Sequence, residues 1–221
     1  MAEKKCETYF YPLSVLTANA QEITFKITGT IQNPGKAKYA YLTTLSQQIP
    51  ISSDKVFIKA PIVNGKFEFN GSFDLLGKNL QQASVFVDER DNITKGEVAL
   101  KFKNLIWVSG RDPHLLRVYL ENLDFVSPAA DNMLPPKIIS GRLTQDFYTF
   151  LEGIKDRANI AAFIRKNPVS PVSLLALEHI SFLREDDIKP RDSVAQLFYS
   201  LSPELKNSNE GKALKRELHI N

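Results

Sequence analysis

Residues 22–32, EITFKITGTIQ, put Ile23, Phe25, Ile27 and Ile31 on every second position, with Thr24, Lys26, Thr28 and Thr30 between them. A period of two predicts a strand with one buried face. Gly29 falls on the buried parity, where a missing side chain predicts a bulge or a close neighbour. NPGK (33–36) reads as a turn and AKYAYLTTL (37–45) as the returning strand. Residues 55–73 predict two more strands around Asn64-Gly65, the strongest short hairpin signal, with Phe67, Phe69 and Phe73 facing inward. Further strands are expected at 83–88, 97–103, 104–109 and 116–126. In the second of these, Val98, Leu100 and Phe102 alternate against Glu97, Lys101 and Lys103.

Near residue 140 the period changes. Leu143, Phe147, Phe150, Leu151 and Ile154 recur at steps of three and four, which predicts a helical stretch that Pro168 ends. Ser170-Pro171 reads as the cap and first position of a second helix, lined inside by Leu174, Leu177, Ile180 and Leu183. REDDIKPRD is a loop. Ser193 and Gln196 have capping-box spacing for a third helix carrying Val194, Leu197, Phe198 and Leu201, and Ser202-Pro203 and Ser208 start two short final ones. The expected class is α+β: an antiparallel β-sandwich or barrel-like sheet followed by a C-terminal α-helical segment. The expected division is a β-rich domain over 21–126, a Pro-rich connection over 127–139 and a helical extension over 140–221.

Composition narrows this picture mainly by exclusion. A net charge of +3 with lysine and arginine spread along 221 residues gives no clustered basic face, so no nucleic-acid partner is expected. No apolar run reaches the roughly 18 residues that span a bilayer, so no transmembrane segment is expected. Cys6 is the only cysteine, which leaves no C-x-x-C pair and no cysteine-rich metal site within the chain. Residues 1–20 combine Lys4, Lys5, the apolar run Tyr9–Leu16 and the ending Ala18-Asn19-Ala20. That is the outline of a secretory signal peptide, weakened by Glu7 and Pro12; a disordered arm is the other reading. The first places the protein in the periplasm or cell envelope, the second in the cytoplasm.

The histidines, His114, His179 and His219, do not stand at metal-ligand or catalytic spacing. DERDN (88–92) lacks the spaced oxygens of a calcium loop and reads as a solvated hairpin tip. Asn70 and Asn92 begin N-x-S/T patterns that matter only in a glycosylating host. No catalytic residue, metal site or cofactor is expected. Tyr39, Tyr41, Trp107 and Tyr119 lie on expected strands, where they serve either a stacking platform for sugar or peptide or ordinary sheet packing.

Four stretches carry a resemblance: ITFKITGTI; VNGKFEFNGSF; RVYLENLDF with KIISGRLTQDFYTF; and FIRKNPVSPVSLLAL with LFYSLSPELKNSNEGKAL. In this order they resemble the family catalogued as domain of unknown function 4369, found ahead of TlpA-like thioredoxin domains in Bacteroides-type bacteria. The resemblance runs from about residue 22 to 219. It implies an exported protein whose β-domain and helical extension carry no known catalytic residue, and GKALKRELHIN lies where a linker to the thioredoxin module would begin. The function it implies is a non-catalytic envelope recognition or scaffold domain, not an enzyme, with an envelope protein or thioredoxin-like partner. A small-molecule, glycan or peptide binding module using the aromatic sheet face is the alternative. An enzyme of a kind its motifs do not advertise is the third reading.

Overall fold

The computed structural model describes residues 21–44, 56–104, 113–182 and 193–220. Eight strands and seven helices occur among them. The strands are β1 (Glu22–Asn33), β2 (Tyr39–Thr43), β3 (Phe57–Pro61), β4 (Lys66–Asp74), β5 (Gln82–Asp88), β6 (Leu116–Tyr119), β7 (Leu123–Ala129) and β8 (Lys137–Ser140). One helix, α1 (Lys95–Asn104), interrupts them. Then follow α2 (Arg142–Gly153), α3 (Arg157–Lys166), α4 (Val172–Ser181), α5 (Val194–Ser200), α6 (Pro203–Asn207) and α7 (Asn209–Glu217). The class is α+β, with two open four-stranded sheets and no closed barrel. No described helix is long and apolar enough to cross a membrane.

The first sheet runs β4-β1-β7-β8 and the second β3-β2-β5-β6. Their inner faces share one apolar core, in which Phe25, Ile27, Phe69, Leu42, Val85 and Phe125 are buried. Pairing is antiparallel except between β1 and β7, which run parallel with Ile27 opposite Leu123. That pair needs no βαβ crossover, because the intervening chain builds the whole second sheet.

The β1–β4 pairing explains the glycine of the first strand. Gly29 lies opposite Phe67, and a Cβ on Gly29 would sit 2.2 Å from Phe67 Cζ. Phe67 packs edge-on against Phe125 at 6.0 Å, so its ring fills the space that Gly29 leaves. The close neighbour, not the bulge, is the outcome. Asn64 and Gly65 have φ of 51° and 75°, both positive as the mirror-image turn requires, but the turn closes only the Val63–Lys66 bridge. The expected hairpin over 55–73 does not form, because β3 and β4 enter different sheets, and β2, after the NPGK turn, likewise pairs with β3 and β5 and not with β1.

Several expectations are corrected. Residues 97–103 are not a strand but most of α1. Thr94 and Glu97 form a reciprocal cap: the Glu97 carboxylate accepts from Thr94 N–H (2.9 Å) and the Thr94 hydroxyl accepts from Glu97 N–H (3.3 Å). That T-x-x-E signal precedes the apolar alternation and overrides it: Val98 is buried while Leu100 stands 63% exposed. DERDN accordingly leads into α1 and is not a hairpin tip. Residues 116–126 are two strands, β6 and β7, turning at 120–122. The stretch 127–139 holds the end of β7 and part of β8. The expected strand at 104–109, Trp107, Leu183 and residues 1–20 lie outside the described residues, apart from Asn104, the last residue of α1.

The helices pack round a second core of Phe150, Ile160, Ile164, Leu177, Ile180 and Leu197, among others. The helical stretch before Pro168 is broken in two, because the Asp156 side chain caps α3 by accepting from Ala158 N–H (2.8 Å). Ser193, Ser202 and Ser208 cap α5, α6 and α7 as their spacing predicts. Ser170 does not: Pro171 occupies the N-cap of α4 without a side-chain bond, and the buried Ser170 hydroxyl has no partner.

Candidate functional site

The outer face of the second sheet is where the two halves of the molecule meet. On β6 the alternation assigns Leu116 and Val118 to the sandwich core. Leu115, Arg117 and Tyr119 therefore share the outward parity. Leu115 packs against a small cluster of Tyr41, Phe86, Ile93 and Val98. Tyr119 belongs instead to the helical core, with its ring edge-on to Phe147 at 5.6 Å. Arg117 falls between two apolar clusters on one face.

Helix α2 is held beside this strand by contacts distant in sequence. Its N-cap, Gly141, offers no side chain. Glu121, in the β6–β7 turn, takes that role from outside the helix, accepting from Leu143 N–H (3.0 Å) and Thr144 N–H (2.7 Å). An acidic group at a helix N-terminus is favoured by both the free N–H groups and the helix dipole. Farther along, the Thr144 hydroxyl accepts from Tyr119 N–H (3.1 Å) and the Tyr148 hydroxyl donates to Arg117 C=O (3.2 Å). Strand β6 is the edge of its sheet, and these two side chains engage backbone groups that an added strand would need. Burial pushes the Tyr119 and Tyr148 hydroxyls well above the ordinary tyrosine pKa, so both stay protonated.

Between β6, α2 and the 132–135 segment lies a cleft of about 580 Å³. Leu115, Leu134, Phe147, Tyr148 and Leu151 give it apolar walls, and Pro113 and Pro135 also line it. Its polar groups are the half-buried Arg117 and the exposed Asn132 and Glu152. Among the described residues no ion pair or side-chain hydrogen bond engages the Arg117 guanidinium. This volume and this apolar lining with few polar groups are those of a small-molecule pocket. A second cleft, about 250 Å³, lies between α4 and α7 under the acidic rim of Glu178, Glu210 and Glu217. Glu210 is already engaged there, accepting from Asn79 N–H (2.8 Å) and from the Asn79 amide.

The aromatic residues singled out from the sequence do not form an open platform. Tyr41 is 1% exposed, stacked on Phe86 at 5.1 Å with its hydroxyl donating to Arg90 C=O (2.7 Å). Tyr39 shares its face, half-buried, with the Lys59 ammonium 5.2 Å above its ring. Tyr119 is 1% exposed and lies in a different cluster. His114 precedes β6, His179 packs edge-on to Phe150 at 5.8 Å, and His219 follows α7. Among the described residues no group of three His, Cys, Asp or Glu side chains could hold a metal ion. Arg117, Asn132, Tyr148 and Glu152 escape a motif search because they are not a motif. The available signal was an arginine on the outward parity of an otherwise apolar strand. Set against protein-family models, curated proteins and solved structures, the chain matches none.

Proposed function

We propose that the chain is a non-catalytic recognition or scaffold domain of the bacterial envelope, and that it recognises its ligand in the cleft beside Arg117. The envelope reading is supported by the resemblance to the domain that precedes TlpA-like thioredoxin modules, which rests on the order of the four sequence stretches. The observation that carries the recognition reading is the cleft itself. It is apolar, large enough for a small molecule, and framed by two elements that Glu121, Thr144 and Tyr148 hold together. Tyr41 and Tyr119 are covered, which removes support from a stacking face built on the aromatic set.

A non-catalytic role agrees with the chain's thiol chemistry. Reduction of a protein disulfide needs an attacking thiolate and a second thiol to resolve the mixed disulfide, and Cys6 is the only thiol in the sequence. Two measurements on the full chain test the reading. Nile red, a neutral apolar dye, should bind the folded protein at one saturable site. Leu151→Glu, which places a charge in the cleft wall, should abolish that binding while the far-ultraviolet circular dichroism is kept. Insulin reduction should match the protein-free control. Dye binding that Leu151→Glu leaves intact, or insulin turnover above the control, would overturn the proposal.

A further inference from the structure

The cleft has a definite charge character, and it narrows the ligand class. Arg117 is the only cationic side chain lining it among the described residues. Arg117 is half-buried between the Leu115 and Tyr119 clusters, and among the described residues its guanidinium has no carboxylate partner. The other ionic group, Glu152, is exposed at the rim, where water screens it. Asn132 uses its Oδ1 to accept from Leu134 N–H (3.3 Å), which leaves its amide N–H groups to donate. The remaining wall is apolar. A guanidinium presents a planar fork of donors that matches a carboxylate.

We infer that the cleft binds a small monocarboxylate with an apolar body, its carboxylate paired with Arg117 and its body lying between Leu134 and the Tyr148–Leu151 face of α2. The inference rests on the recognition reading above and names the ligand class for the same site. A peptide strand is the poorer occupant. Extended peptides bind sheet edges through a backbone ladder, and on β6 the Arg117 carbonyl and the Tyr119 N–H are already taken by Tyr148 and Thr144. What β6 still offers there is the outward side chain of Arg117. An apolar cation is disfavoured by the same guanidinium, and a neutral body gains nothing from it.

The test is a titration of the full chain with octanoate, 1-octanol and octylammonium, followed by amide chemical shifts. The three share a chain length and differ in head-group charge. Octanoate should bind at least about tenfold more tightly than octanol, the gain expected of one charge-assisted hydrogen bond in a partly buried site, and octylammonium most weakly. Arg117→Met keeps an apolar stem of similar length and should reduce the octanoate preference to about one. The order of the three ligands on the unaltered protein needs no variant, so the inference stays testable even if Arg117→Met does not fold. Equal affinity for octanoate and octanol would overturn the carboxylate inference and leave the recognition reading standing. Failure of all three ligands and of Nile red to bind would overturn both. A preference that survives Arg117→Met would place the anion elsewhere and refute the assignment.

Discussion

Removing the Glu121 carboxylate tests how α2 is held against the sheet. Glu121→Ala deletes two hydrogen bonds to the first turn of α2, and the N-cap Gly141 has no side chain to replace them. Substituting an N-cap acceptor by alanine costs about 0.5–2 kcal/mol, and hydrogen bonds to a charged group fall at about 1.5–3 kcal/mol each. Solvent reaches the partly buried Glu121 site and lowers the sum, but Thr144 is fully buried, so its freed N–H is poorly hydrated. The two considerations place the loss at about 2 kcal/mol. For a chain of this length that is a fall of about 4–8 °C in Tm. Glu121→Gln keeps one acceptor oxygen and loses the charge, so it should cost about half as much. Urea unfolding followed by circular dichroism measures both. A loss below about 0.5 kcal/mol for Glu121→Ala would mean that the β6–β7 turn does not cap α2.

Three further outcomes follow from the packing. Gly29→Ala forces a methyl group into the Phe67 ring, which Phe125 prevents from retreating. It should destabilise by about 3 kcal/mol, the upper range of overpacking, whereas Thr28→Ala on the partly exposed neighbour should cost far less; comparable losses in urea would refute the close approach. Tyr119→Phe removes a buried hydroxyl that has no partner and should leave stability unchanged or raise it by up to about 1 kcal/mol; a clear loss in the same assay would reveal a bond to that hydroxyl. Glu97 is held below its ordinary pKa of 4.5, first by the Thr94 N–H and then by Arg90. Its folded pKa is depressed, so its contribution to α1 is complete above 4.5 and is lost as the pH falls through the lower folded value. The Thr94 amide resonance should report that loss, and Glu97→Gln should remove it.

Local chemistry made most of the strands and caps legible. Strict alternation marked β1 and β4, and Ser193, Ser202 and Ser208 marked three helix starts. Asn64-Gly65 marked a tight turn but not a hairpin, because the strands on either side of it go to different sheets, a choice made by distant partners. At 97–103 the capping pair Thr94 and Glu97 outweighs the alternation of Val98, Leu100 and Phe102, because three alternating residues fit a short helix as readily as a strand. The parallel β1–β7 pair and the capping of α2 by Glu121 were not legible, since each joins residues far apart in the chain. The same holds for the cleft. Arg117, Asn132 and Glu152 come from three separate segments, and only the tertiary packing of α2 against β6 makes them neighbours.

Chemical-shift mapping of the full chain titrated with 8-anilinonaphthalene-1-sulfonate, an apolar anion, tests the central claim most directly. Recognition at the β6–α2 cleft predicts saturable shifts, at about one equivalent of bound probe, centred on the amides of Leu115, Arg117, Leu134, Tyr148 and Leu151. Shifts centred on Leu175, Ala213 and Leu214 in the α4–α7 cleft, or no saturable shifts at all, would contradict it.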